Sequence, residues 1–348
     1  ASGFENENFM VSPTSFRAAL ALAVAGADGE TKDALIKAMG FESMEDVNSW
    51  YASVLESVDN FDKWFEYEDD PSAALKIMNS VWSSSEDASF KEDYKKYVED
   101  NYRAEARFSP KDRITKEVDD WVNEGTNGLI PSLGADLSAS DLVLVNTLFL
   151  KTSWISTFEE YDTMEDDFKT FDGSVVKKDF MEKTDDYLYY EDDGCKLVSI
   201  PMNGRISAVF VLGDAGDVSE KLEKAQIKKV HLRIPKFETE SSFDGGLLVN
   251  FLKAKGAAAA FSDDADFSDM ADLKGTFISD IIQKTKIKTD ESGIEAAAVT
   301  AVMLVGSALM EEPEPIMEFV ADEPFKYMIL AGNDEGADEA LFIGQLVK

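Results

Sequence analysis

The stretch that most constrains this chain lies near its end, at residues 290–325. From Glu291 to Val302 the residues are small and weakly polar, with only Ile294 and Glu295 bulky. Ala296, Ala297 and Ala298 favour helix, whereas Val299, Thr300 and Val302 favour strand. A segment with such divided preferences suits an exposed loop, a short helix or a strand. Its small side chains also let a strand slip between two others without clashing. From Met303 to Met310 the run becomes apolar, and Glu311-Glu312-Pro313-Glu314-Pro315 then makes it stiff, charged and unsuited to burial. An apolar run between a flexible arm and a stiff acidic arm reads as bait, an exposed peptide meant for another protein's cleft. The competing reading is an ordinary Ala-rich helix followed by a loop.

Charge narrows the partners. The chain has 69 acidic and 34 basic residues, a net charge of −35. Such a surface repels nucleic acid and anionic lipid. Apolar runs such as 142–145 and 301–305 are far too short to span a bilayer, so neither nucleic acid nor membrane is an expected partner. The hydrophobic fraction of 44% suits a globular core, and 348 residues allow one large domain or two ordinary ones. No secretory signal is read, and the chain begins at Ala1.

Candidate chemistry is sparse. Cys195 is the sole cysteine, so no intrachain disulfide is possible; it precedes Leu197, Val198 and Ile200 and reads as a half-buried strand thiol. His231 is the sole histidine and lies in an alternating, strand-like run. One histidine cannot build a multi-His zinc site, and no Gly-x-Ser-x-Gly elbow accompanies it; it reads as structural. Asp263, Asp264 and Asp266 invite a calcium reading, but the central glycine and distal glutamate of an EF-hand loop are absent. No metal, cofactor or catalytic residue is expected.

Along the chain, Phe9-Met10-Val11 reads as a short strand running into a helix, with Ser12 as N-cap and Pro13 at its first position. Phe16, Leu20, Ala23 and Val24 form its apolar stripe. A second helix follows Gly29 and ends near Met39-Gly40-Phe41, and a third spans about 44–58 before an acidic connector. Residues 75–82 alternate as a strand, 90–101 read as helix, 104–108 as strand and 114–127 as an amphipathic helix. The near-continuous apolar run 142–150 reads as a strand buried on both faces. Residues 198–212 read as a hairpin, 230–237 as a strand, 245–255 as a helix, and 277–288 as an alternating strand that feeds residues 290–325.

Several of these segments resemble the serpins. Glu291-Ser292-Gly293-Ile294-Glu295-Ala296-Ala297-Ala298-Val299-Thr300 resembles the serpin hinge, Glu-x-Gly-Thr-Glu-Ala-Ala-Ala-x-Thr. Phe319-Val320-Ala321-Asp322-Glu323-Pro324-Phe325 resembles the segment after the serpin reactive loop, and Leu341-Phe342-Ile343-Gly344 the final family strand. Ser12-Pro13-Thr14-Ser15, Trp121-Val122-Asn123 with Thr126-Asn127-Gly128, residues 142–154 and Ala260-Phe261 through Phe267-Ser268 match further family patterns. The match spans about residues 9–348. Family members normally carry a further helix before the first of these motifs. Only eight residues precede Phe9, so that helix is expected to be missing or truncated.

The resemblance implies an α+β serpin fold with mixed sheets, about eight helices and a large central sheet that accepts the reactive loop. It implies one domain over 1–348, with the reactive-centre loop at about 293–317, in an inhibitory member of prokaryotic type. The hinge would be Glu291, Gly293, Ile294, Glu295, Ala296, Ala297, Ala298, Val299 and Thr300. The region that opens for insertion would hold Ser12, Ser15, Asn146, Trp154 and Gln283; serpins usually have a histidine at the position of Gln283. The implied function is suicide-substrate inhibition of a serine protease, which becomes acylated and is trapped when the cleaved loop inserts. The rival is a non-inhibitory serpin for storage, transport or chaperoning. Insertion needs small uncharged residues at alternate positions, and the inward series Ile294, Ala296, Ala298, Thr300 and Val302 has no charge or proline. Ile294 departs from the usual threonine, which bears on the rate of the first step, but it is apolar and strand-compatible. In most inhibitory serpins the residue before the cut lies fourteen positions after the hinge glycine, which places the scissile bond at Ser307–Ala308; Leu309 or Met310 are alternatives. No Lys or Arg occurs between Thr289 and Phe325, so a trypsin-type pocket has nothing to bind, and Ser307 among small neighbours suits an elastase-like enzyme. Heparin-type binding is not expected, since residues 42–70 carry only Lys63 against many carboxylates. A secreted or cell-surface monomer is expected.

Overall fold

The computed structural model describes residues 6–65, 73–84, 89–128, 130–140, 142–243, 246–271, 277–294, 315–332 and 338–348. Chain order begins with β1 (Phe9–Val11), α1 (Pro13–Gly26), α2 (Gly29–Met39), α3 (Met44–Phe65), β2 (Ala74–Ser83), α4 (Glu92–Tyr102), β3 (Glu105–Phe108), α5 (Ile114–Gly125) and β4 (Leu142–Ser153). It continues with β5 (Met164–Lys169), β6 (Val175–Asp192), β7 (Cys195–Met202), β8 (Ile206–Gly213), α6 (Val218–Lys224), β9 (Gln226–Pro235), β10 (Phe237–Phe243) and α7 (Leu247–Leu252). The last elements are β11 (Asp280–Asp290), β12 (Gly293–Ile294), β13 (Met317–Val320), β14 (Phe325–Gly332) and β15 (Asp338–Leu346). Seven α-helices thus stand among the described residues, against about eight expected.

The strands form two mixed sheets. One has six strands in the order β10-β11-β12-β4-β2-β3. The other has nine, in the order β1-β15-β14-β8-β7-β6-β9-β13, with β5 added on β6. β4 is the double-buried strand its composition demands: eleven of its twelve residues are buried, because one face packs on a core shared with α1 and the other on α5. A third cluster gathers Trp154, Phe210, Ile294, Phe319 and Tyr327 beside the nine-stranded sheet.

Helix α1 begins as its sequence dictates. The Ser12 hydroxyl accepts from the Ser15 amide at 3.1 Å, and Pro13 fills the first helical position. Its burial is broader than the stripe Phe16, Leu20, Ala23 and Val24. Every residue from Ala18 to Val24 is buried, while Phe16 is only half-buried and faces the Phe251 ring at 6.3 Å. A helix of small apolar residues all round is one enclosed on all sides.

Three helix limits differ from the sequence reading. α3 runs on to Phe65 instead of ending near Val58. Phe61 is buried and packs against the tilted ring of Phe65 at 4.9 Å, and Arg103 grips Asp59 through two hydrogen bonds of 2.7 and 2.8 Å. The apolar spacing Val54, Val58, Phe61, Phe65 is helical; the acidic residues between obscured it. α5 stops at Gly125, because Asn127 (φ 52°) and Gly128 (φ 84°) take left-handed conformations. The helix expected over 245–255 holds regular geometry only at Leu247–Leu252, and a wide turn follows with Gly256 at φ 99°.

Candidate functional site

The six-stranded sheet is not continuously paired at its centre. β11 runs parallel to β4 only from Asp280↔Val143 to Gln283↔Asn146. Beyond that pair, among the described residues, the two strands share no register. At the far end β12 lies between them, with Ile294 opposite Thr152 and Thr289, and Gly293 opposite Ser153 and Asp290. The result is a slot between β11 and β4, closed at one end by side chains and plugged at the other by two residues of chain.

The closed end is a buried polar cluster. Gln283 Nε2 donates to the Ser12 carbonyl at 2.8 Å and to Asn146 Oδ1 at 3.1 Å, while Gln283 Oε1 accepts from the Ser12 amide at 3.0 Å. Ser15 Oγ donates to Asn146 Oδ1 at 2.7 Å, and Asn146 Nδ2 donates to the Ile282 carbonyl at 3.3 Å. The Ser12–Pro13 helix start sets Ser15 one turn on, over Asn146. All four side chains are buried, where an unmade hydrogen bond is expensive. The amide of Gln283 meets both the donor and the acceptor requirement without a titratable proton.

The plugged end is organised by Trp154. Its Nε1 donates to the Asp290 carbonyl at 2.9 Å and its backbone amide to Ser292 O at 3.0 Å. Its ring meets Phe158 edge-on at 5.9 Å, and the Phe158 amide donates to Glu291 O at 3.0 Å. Glu291 is buried, with its carboxylate 2.8 Å from Lys236 Nζ and accepting from Thr163 Oγ1 at 2.8 Å. Burial opposes its charge, but the Lys236 ammonium and the Thr163 hydroxyl outweigh burial and hold its acid below the usual range. Glu291 therefore stabilises the fold fully above its ordinary value of about 4.5, and this contribution is lost as the pH falls through the lowered one. Gly293 sits at φ 148°, and a Cβ there would fall 2.3 Å from the Thr152 carbonyl oxygen, so only glycine fits. Ile294 beside it is buried among the apolar residues of the upper core, a placement worth about 1.5–3 kcal/mol for such a side chain.

The structure thus brings Ser12, Ser15, Asn146 and Gln283 into one cluster, and places Trp154, Glu291, Gly293 and Ile294 at the other end of the slot. Glu295, Ala296, Ala297, Ala298, Val299 and Thr300, and Ser307, Ala308, Leu309 and Met310, lie outside the described residues. Lys236 and Thr163 were missed by sequence reasoning. Neither stands out in the sequence: Lys236 directly follows a strand that already carries Lys228, Lys229 and Arg233, and Thr163 lies in an acidic stretch.

A family model described as Serpin (serine protease inhibitor) matches residues 1–348. Serpin-ZX of Arabidopsis thaliana is 31% identical over 375 residues, covering 99% of this chain and 92% of that protein. A leukocyte elastase inhibitor of Sus scrofa is 28% identical, covering 97% of this chain and 92% of its own. Among solved structures, the thermophilic serpin tengpin in its native state superposes with a TM-score of 0.82 at 26% identity, over 99% of this chain and 91% of that one.

Proposed function

Because this chain belongs to the serpins, the serine protease inhibitor family, we propose that it is a suicide-substrate inhibitor of serine proteases with an elastase-like preference. The observation that carries this reading is β12. Gly293 and Ile294 form a two-residue strand between β11 and β4, and the sequence beyond them continues a small, uncharged alternate series, Ala296, Ala298, Thr300 and Val302.

In the proposed cycle the protease serine attacks the Ser307 carbonyl. The Ser307–Ala308 amide breaks, Ala308 leaves as a new N-terminus, and Ser307 stays esterified to the enzyme. The freed arm then extends β12 along the slot, displacing the Gln283–Asn146 pairing, and carries the tethered protease with it. Distortion of the protease's own site stops water from cleaving the ester. About a dozen new ladder hydrogen bonds at roughly 1 kcal/mol net each would release on the order of 10 kcal/mol, so the uncut state is held by a barrier and not by depth.

The test is incubation with elastase-like, chymotrypsin-like, subtilisin-like and trypsin-like proteases, followed by denaturing electrophoresis and mass spectrometry of the released C-terminal fragment. A complex that survives denaturation, with a fragment beginning at Ala308, is the expected result. A fragment beginning at Glu311 moves the cut to Met310 and the target to the chymotrypsin-like class. Clean cleavage with no complex would instead assign the chain to the non-inhibitory serpins.

A further inference from the structure

Strand β13 sits at the end of the nine-stranded sheet and, among the described residues, pairs only with β9, in parallel from Met317↔Val230 to Val320↔Arg233. On β9, Val230, Leu232 and Ile234 point into the core. The opposite face carries Lys229, His231 and Arg233. The register sets His231 between Thr184 of β6 and Glu318 of β13. Its Nδ1 lies 2.7 Å from Glu318 Oε2, and its Nε2 lies 2.9 Å from Glu182 Oε1 on β6. A neutral imidazole has one N–H, whereas ionised carboxylates only accept. One of these two contacts would then set a ring lone pair against an oxygen lone pair. Only the imidazolium satisfies both.

The other charges around this point are occupied. Arg233 donates to Asp166 of β5 at 2.5 Å, lies 3.8 Å from Glu182 Oε2 and covers the Phe180 ring at 4.6 Å. Lys196 of β7 donates to the Glu318 backbone carbonyl at 3.0 Å and pairs with Glu191 at 3.4 Å, and Glu191 accepts from the Tyr189 hydroxyl at 2.7 Å. Lys229 is exposed and stands opposite Asp186 of β6 in the ladder. His231 is the cation placed at both the Glu182 and Glu318 carboxylates. Those two hydrogen bonds raise its pKa above the ordinary imidazole range, against a smaller opposing effect of burial.

We propose that protonated His231 is a pH-dependent clip that fastens β13 to β6 through Glu318 and Glu182. The clip is complete below the ordinary imidazole value of about 6.5 and is lost as the pH rises through the raised value. Since β12 and β13 flank residues 295–316, the clip ties the anchorage of the far end of the loop to pH. That consequence for inhibition rests on the function proposed above; the clip itself does not.

The experiment uses the full-length chain without protease. Because His231 is the only histidine, its ring proton is unambiguous in an NMR titration. Deuterium exchange of the peptide covering residues 317–320 is followed in parallel at about pH 5.5 and about pH 8, corrected for intrinsic rates. In the wild type we expect a midpoint above about 6.5, and exchange roughly two- to fivefold faster at the higher pH, the scale of one or two partly exposed ion pairs. His231→Gln should exchange fast at both pH values, and His231→Lys, a permanent cation, should stay slow at both. Glu318→Gln should lower the midpoint. A wild type whose β13 exchanges alike at both pH values, a His231→Gln that retains the wild-type pH dependence, or a midpoint at or below the ordinary value would each overturn the proposal. Failure to inhibit any protease would leave these readouts, and the clip, standing.

Discussion

At the scale of single residues, the centre of the molecule depends on one neutral amide. Gln283 closes three hydrogen bonds with Ser12 and Asn146, and none of these partners has water to turn to. Gln283→Ala leaves the Ser12 amide, the Ser12 carbonyl and part of Asn146 unmet in a dry site. The expected loss is about 1–3 kcal/mol of stability, read as a lower urea midpoint with an unchanged slope. A variant as stable as the parent would mean that water or a neighbour replaces the amide. The residue types here were legible from a resemblance to known motifs, but the contacts were not, since Ser12 and Gln283 stand 271 positions apart.

At the scale of elements, β12 is the shortest strand among the described residues and the most conditional. It is held by four register pairs, by the buried Ile294 and by the glycine at φ 148°. Gly293→Ala would drive a methyl group into the Thr152 carbonyl and impose a strained backbone costing on the order of 1–3 kcal/mol. The expected outcome is that Ile294 and the end of β11 lose protection from hydrogen exchange while β6 and β9 keep theirs. Unchanged protection at Ile294 would show that β4 yields instead. The same scale shows where local reading misled. The apolar period of α3 continues through Phe61 and Phe65, but the carboxylates around it read as a connector in the sequence, and the Arg103 that holds Asp59 comes from a distant helix end.

At the scale of the whole molecule, the split sheet is the feature with the largest energetic consequence. Two strands, β11 and β4, pair over four residues and then, among the described residues, share no further register, apart from the short β12 between their far ends. If the cleaved arm fills the slot between them, a chain cut anywhere between Met303 and Met310 should melt far above the intact one. Differential scanning calorimetry before and after a single cut measures this. Equal melting temperatures would exclude insertion and with it the proposed mechanism.

By itself the sequence determined the kinds of element and much of their order. Alternation marks β2 and β11, a continuous apolar run marks β4, and Ser12-Pro13 marks the start of α1, because these signals are local and act through backbone geometry and side-chain period. It also determined the character of residues 290–325 and the absence of any cation between Thr289 and Phe325. Only the tertiary structure decided which strands are neighbours, where β11 and β4 part company, that Lys236 answers Glu291, and that His231 stands between two carboxylates. These are matters of ladder register and of burial, which one strand acquires only when distant strands have already paired. No local period in the chain encodes them.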